Sequence, residues 1–77
     1  MKPTVGCIVH YTNLGDRDGV YPPAVVAAIV TQVNDGCNVA LKCFYPTGIF
    51  DMAAVDYTEA EAGTDKARGH WTWPSGV

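Results

Sequence analysis

Residues 24–45, AVVAAIVTQVNDGCNVALKCFY, decide the fold. The first ten are nearly all apolar, so periodicity alone does not separate helix from strand. Six of them are β-branched (Val25, Val26, Ile29, Val30, Thr31 and Val33). Such side chains lose rotamer freedom on a helix and pack well on a pleated surface. Asn34-Asp35-Gly36 follows at once, and these residue types tolerate the positive φ of a hairpin turn. Beyond it, Val39, Leu41, Cys43 and Tyr45 share one face of a strand, and Asn38, Ala40, Lys42 and Phe44 the other. The stretch reads as a β-hairpin.

Working outward, residues 5–11 also alternate: Val5, Cys7, Val9 and Tyr11 point one way, and Gly6, Ile8 and His10 the other. TNLGDRDGVYPP, rich in Gly, Asp, Asn and Pro, reads as a loop. Pro46-Thr47-Gly48 predicts a tight turn with Gly48 in the left-handed region. A further strand starts at Ile49 and resumes over residues 54–57. TEAEAGTDKARG, residues 58–69, has no apolar face long enough for a core helix and is expected to be an exposed loop with at most one helical turn. His70-Trp71-Thr72-Trp73 closes the chain as a short strand that Pro74 stops. Four or five short strands with regular turns predict a mainly β fold, a small antiparallel SH3-like barrel or roll forming one domain over residues 1–77.

Composition narrows the function. The 77 residues carry 48% hydrophobic and 17% charged side chains, too apolar for a disordered chain. A formal charge of −3 disfavours nucleic acid or anionic lipid as a bulk electrostatic partner. The longest apolar run, residues 24–30, is far short of the roughly 20 residues that span a bilayer. No secretory pattern follows Met1-Lys2-Pro3-Thr4, so the expected location is intracellular. A domain this small buries only about 60% of its unfolded surface, and self-association is the expected remedy.

Motifs for chemistry are weak. Cys7, Cys37 and Cys43 are an odd set without C-x-x-C. Cys7 and His10 fall on opposite faces of a regular strand, and Cys37 and Cys43 lie roughly 20 Å apart along one. Mostly buried, reduced thiols and no metal or cofactor are the expectation. Ser75, the sole serine, follows the last proline, and Asp51 and Asp56 fall on opposite faces of a regular strand, so no nucleophile or carboxylate pair is expected. Gly15-Asp16-Arg17-Asp18-Gly19 fails as a calcium loop, because aligning Gly19 with its glycine puts Leu14 and Val25 at the end ligands. The chain is not expected to be an enzyme. Its one enrichment is aromatic: Tyr11, Tyr21, Tyr45, Tyr57, Trp71 and Trp73 sit near strand ends or in loops, with Arg17, Lys42, Lys66 and Arg68 scattered among them. Such rings can stack on bases. The competing expectation is that Trp71 and Trp73 plug one end of the barrel.

VGCIVHY, YPPAVVAAIVTQV, VALKCFYPTG and GHWTWP together resemble short proteins of tailed-phage and prophage genomes. Those proteins share a G-x-I-V-H-Y opening, a Y-P-A or P-P-A segment running into an apolar strand, and a W-x-W-P ending. The resemblance singles out His10, Tyr11, Pro23, Ala24, Trp71, Trp73 and Pro74. It implies a phage origin and hence the host cytoplasm. With rings for stacking, a few cations and no catalytic group, the expected role is a non-enzymatic oligomeric sponge that sequesters a host immune nucleotide of cyclic oligonucleotide or ADP-ribose type. The expected ligand-binding residues are His10, Tyr11, Arg17, Tyr45, Thr47, Arg68, His70, Trp71 and Trp73. The alternative is a phage structural or host-protein-binding module with no small ligand.

Overall fold

The computed structural model describes residues 2–14, 23–46 and 48–74. Five strands, β1 (Ile8–Thr12), β2 (Val25–Asp35), β3 (Asn38–Tyr45), β4 (Gly48–Tyr57) and β5 (His70–Thr72), close into a barrel in sequence order. This is the small SH3-like β-barrel that the turn spacing predicts. Four of the five pairings are antiparallel, and β4 and β5 pair in parallel through Asp56↔His70 and Tyr57↔Trp71. The single parallel pair in this otherwise antiparallel barrel has a topological reason. Directions alternating around a closed ring of odd number must repeat once.

Alternation fills the interior. Val9, Tyr11, Val26, Ala28, Val30, Val39, Leu41, Cys43, Val55 and Trp71 form one buried cluster. On β3 the inward set is the expected one, with Tyr45 half-buried at the barrel mouth. Residue 5 is not part of that interior. Gly6 takes φ +95° in a turn closed by the Cys7 N–H donating to the Thr4 carbonyl, so alternation starts only at Ile8 and Val5 stays exposed. The hairpin turn falls one step later than expected, at Gly36-Cys37 between the paired Asp35 and Asn38, with Gly36 at φ +54°. Gly48 is not left-handed as expected. It pairs with Tyr45 as the first residue of β4.

β4 is continuous rather than interrupted. A bulge between the pairs Leu41↔Met52 and Val39↔Val55 absorbs an extra residue. That shift of phase puts Asp56 on the outer face with Asp51, against the expectation of opposite faces. The two are used separately: Asp51 Oδ1 lies 3.7 Å from Lys42 Nζ, and Asp56 Oδ1 accepts from Asn38 Nδ2 at 2.7 Å. The 58–69 segment contains a 3-10 turn, Asp65–Ala67, but it is a cover more than an exposed loop. Ala67 is fully buried, the Gly63 N–H donates to Thr12 Oγ1 (3.1 Å), and the Gly69 N–H donates to the Thr12 carbonyl (2.8 Å). It thereby buries the outer faces of Thr12 and Thr72. Of the thiols only Cys43 is buried; Cys7 is half-buried and Cys37 is exposed in the hairpin turn.

Candidate functional site

The nine expected binding residues do not form one cluster. Arg17 and Thr47 lie outside the described residues, as do Tyr21 and the aspartates of the 15–19 motif. Tyr11 and Trp71 face one another across the β1–β5 pairing and are sealed in the core, at 3% and 0% exposure. The Trp71 indole N–H donates to the Cys37 carbonyl at 2.8 Å, tying β5 to the β2–β3 turn. Trp71 therefore plugs the barrel and presents no ring to a ligand. Burial pushes the Tyr11 hydroxyl above its ordinary range, and the neighbouring Tyr45 and Cys43 push it further. The Cys43 thiol is raised by burial, then by Asp51. Both groups are held neutral near pH 7, and neither is poised as a base or nucleophile.

Arg68 is occupied within its own loop. Its Nε and Nη2 both donate to Asp65 Oδ1 (3.1 and 2.8 Å), and Nη1 donates to the Leu14 carbonyl at 3.0 Å. His70 donates Nδ1–H to the Arg68 carbonyl at 2.8 Å. His70 lines a wide, open depression of about 680 Å³ with Asp35, Cys37, Asn38, Asp56 and Tyr57. An amide chain runs along this side, Asn34 Nδ2 donating to Asn38 Oδ1 and Asn38 Nδ2 to Asp56. With two aspartates and no described Lys or Arg, it does not suit a phosphate.

Trp73 stands apart from Trp71. It is half-buried and rests edge-on against the Trp71 ring, centroids 5.1 Å apart. It walls a smaller cavity of about 230 Å³ together with Tyr57, Thr72 and the 58–62 loop. Tyr45 is half-buried and meets Phe50 edge-on at 5.2 Å beside the β3–β4 turn.

His10 opens a further surface that adjoins the Trp73 cavity through its pairing with Thr72. Cross-strand pairing aligns His10↔Ala27↔Phe44↔Ile49 on the outer face of β1–β4, with Ile8↔Ile29↔Lys42↔Asp51 as the adjacent row. Ile8 and Ile49 are 63% and 59% exposed, Val25 42% and Phe44 37%. Sequence reading missed this band because Phe44, Ile49 and Ile8 look like ordinary strand residues. Their outward phase was legible, since Phe44 shares a face with Lys42. Comparisons with family models, with curated proteins and with solved structures found no match to this chain.

Proposed function

We propose that this protein is a phage-encoded binding module that acts without catalysis as a homo-oligomer, a sponge that sequesters a nucleotide-type signal of its host at the joint between copies. The exposed apolar band across β1–β4 carries the reading. A monomer of this size gains little from displaying two isoleucines, a valine and a phenylalanine on contiguous strands, and such a patch marks an interaction face. The band is self-complementary in charge. Lys42 and Asp51 lie side by side at its border, 47% and 79% exposed, in a contact worth little in water. Two-fold pairing lets each lysine meet the other copy's aspartate, as an isologous interface requires.

The same face has parts suited to a base and a phosphate. Ala27 is a small floor between His10 and Phe44, whose strands lie roughly 10 Å apart at two strand spacings. A flat base laid there meets a ring on either side, and Lys42 projects from the same strand face as Phe44. One lysine in a chain of charge −3 is a poor anion site, whereas two lysines brought together by a second copy make a better one. Native mass spectrometry and thermal shift against cyclic dinucleotides and ADP-ribose derivatives test this. The expected result is an oligomer stabilised by one member of the panel, with Phe44→Glu giving a folded monomer that no longer responds. A wild-type monomer at tens of micromolar, or an oligomer indifferent to the whole panel, refutes the reading.

One observation favours the ligand-free alternative. β4 pairs with β5 only at Asp56 and Tyr57, so the second edge of β4 from Gly48 to Ala54 pairs with no described strand. An open edge is a template for strand addition by a partner protein. Hydrogen exchange distinguishes the two readings: a strand-adding partner protects the β4 amides, and face-to-face pairing of copies leaves them exchanging.

A further inference from the structure

We infer that the cavity between the 58–62 loop and β5 is a binding site for a small protonated amine. Its lining shares no residue with the outer band, which it adjoins where Thr72 pairs with His10. Its walls are set in advance. Tyr57 and Trp73 both rest on the buried Trp71 ring, with centroid separations of 4.8 and 5.1 Å. The loop is pinned at both ends: the Thr58 N–H donates to the Trp71 carbonyl (3.1 Å), and the Gly63 N–H donates to Thr12 Oγ1 (3.1 Å). The Ala60 N–H folds back onto Thr58 Oγ1 at 3.2 Å. A preorganised pocket loses little entropy on binding.

Charge and hydrogen bonding select the ligand. Glu59 and Glu61 are the charged residues of the lining, and no described Lys, Arg or His joins them. The nearby guanidinium of Arg68 is engaged by Asp65 and Leu14. Two aromatic rings beside two carboxylates favour a cation, by ring quadrupole and by Coulomb attraction. Thr72 supplies the independent sign that something polar belongs here. It forms part of the cavity wall, is 6% exposed, and its Oγ1 is the one buried side-chain N or O atom among the described residues without a hydrogen-bond partner. Such orphans are uncommon and expensive. An ammonium N–H donating to Thr72 Oγ1 satisfies it. The volume of about 230 Å³ is close to that of eight waters at roughly 30 Å³ each, so a short alkylamine or the amine end of a longer molecule fits, and a whole dinucleotide does not.

The test is NMR titration of the full chain with butylammonium, using 1-butanol as the uncharged control and tetramethylammonium as the cation without N–H. The expected result is saturable movement of the Trp73 indole cross-peak, with butylammonium binding about tenfold tighter than either control. Glu59→Gln/Glu61→Gln is expected to weaken butylammonium about tenfold, and raised salt to weaken it in the wild type. Thr72→Val keeps the side-chain shape and removes only an unpaired hydroxyl, so it is expected to fold as well as the wild type and bind several-fold more weakly. Equal binding of 1-butanol, equal binding of tetramethylammonium, full affinity in Thr72→Val, or no saturable movement at Trp73 each overturns the inference. Loss of nucleotide binding at the outer band does not bear on these readouts, so the two proposals fail separately.

Discussion

Trp71→Phe tests whether this indole is a plug or a stacking platform. The ring is fully buried, touches Tyr57 and Trp73, and makes one hydrogen bond, to the Cys37 carbonyl. Replacing indole by phenyl leaves a small void in a core with few layers, at about 1 kcal/mol for lost transfer and cavity terms. The lost hydrogen bond adds roughly 0.5–1 kcal/mol, at the low end because Cys37 is exposed and its freed carbonyl meets water. The sum, about 2 kcal/mol, lowers the Tm of a 77-residue domain by roughly 10 °C. The assay is thermal melting followed by far-UV circular dichroism, with a urea titration for the free energy. Trp73→Phe is the internal control: its half-buried ring has no hydrogen bond comparable to that of Trp71, so its cost is expected to stay below about 1 kcal/mol. If the two variants melt together, or Trp71→Phe melts with the wild type, the plug is wrong. The assignment of Tyr57 and Trp73 as fixed cavity walls falls with it.

Burial raises the pKa values of Tyr11, Tyr45 and Cys43 in the folded state, so their neutral forms favour folding. That contribution is complete below the unfolded values and is lost as pH rises toward the folded ones. Stability is therefore expected to fall from about pH 8.5 upward and more steeply above about pH 10, and urea unfolding across that range checks it. The Cys7 thiol is lowered, first by the hydrogen bond with the Thr4 hydroxyl at 3.2 Å. Mass-spectrometric mapping of iodoacetamide labelling is expected to find Cys7 modified before Cys37 near pH 7.5, Thr4→Val removing the lead, and Cys43 protected until the chain unfolds. Gly69→Ala forces φ +74° on a side chain and drives Cβ to 3.2 Å from the Leu14 side chain. It is expected to cost about 1–2 kcal/mol by chemical denaturation. Gly48→Ala, whose Cβ meets Phe50 at an ordinary 3.8 Å, is expected to cost well under 1 kcal/mol.

Strand identity was legible because β-branched runs and turn residues speak locally. Val39, Leu41 and Cys43 were correctly turned inward because nothing interrupts the alternation of β3. Phase was lost wherever the ladder slips. The bulge near Ala53 moves Asp56 to the other face, and the left-handed Gly6 separates Val5 from the core. No local pattern encodes either event, since each depends on the partner strand. Among the expected site residues, Trp71 and Tyr11 misled for one reason. An aromatic near a strand end looks exposed in a linear reading, but in so short a barrel the strand end lies over the core. Thr72 and Glu59 were invisible because their meaning comes from a loop folding back over β5.

Closure of an odd-numbered ring links the two candidate surfaces. Because one pair must run parallel, the chain has to return from the end of β4 to the start of β5 outside the barrel, and residues 58–69 are that return. The crossover is too short for a long helix, so it lies flat on β1 and β5, burying Thr12 and Thr72 and roofing the Trp73 cavity. Beyond its edge on the same outer surface, β1 to β4 are joined without such a crossover among the described segments, and Ile8, Phe44 and Ile49 stay exposed there. The covered part thus holds a small acidic cavity, and the uncovered strands an exposed apolar band. Restoring the charge balance of the first with Glu59→Gln/Glu61→Gln is expected to leave oligomer mass unchanged, and Phe44→Glu is expected to leave amine binding unchanged. Coupling between them, read as a change in one after mutation of the other, is expected only at the His10↔Thr72 pair, where the two surfaces meet.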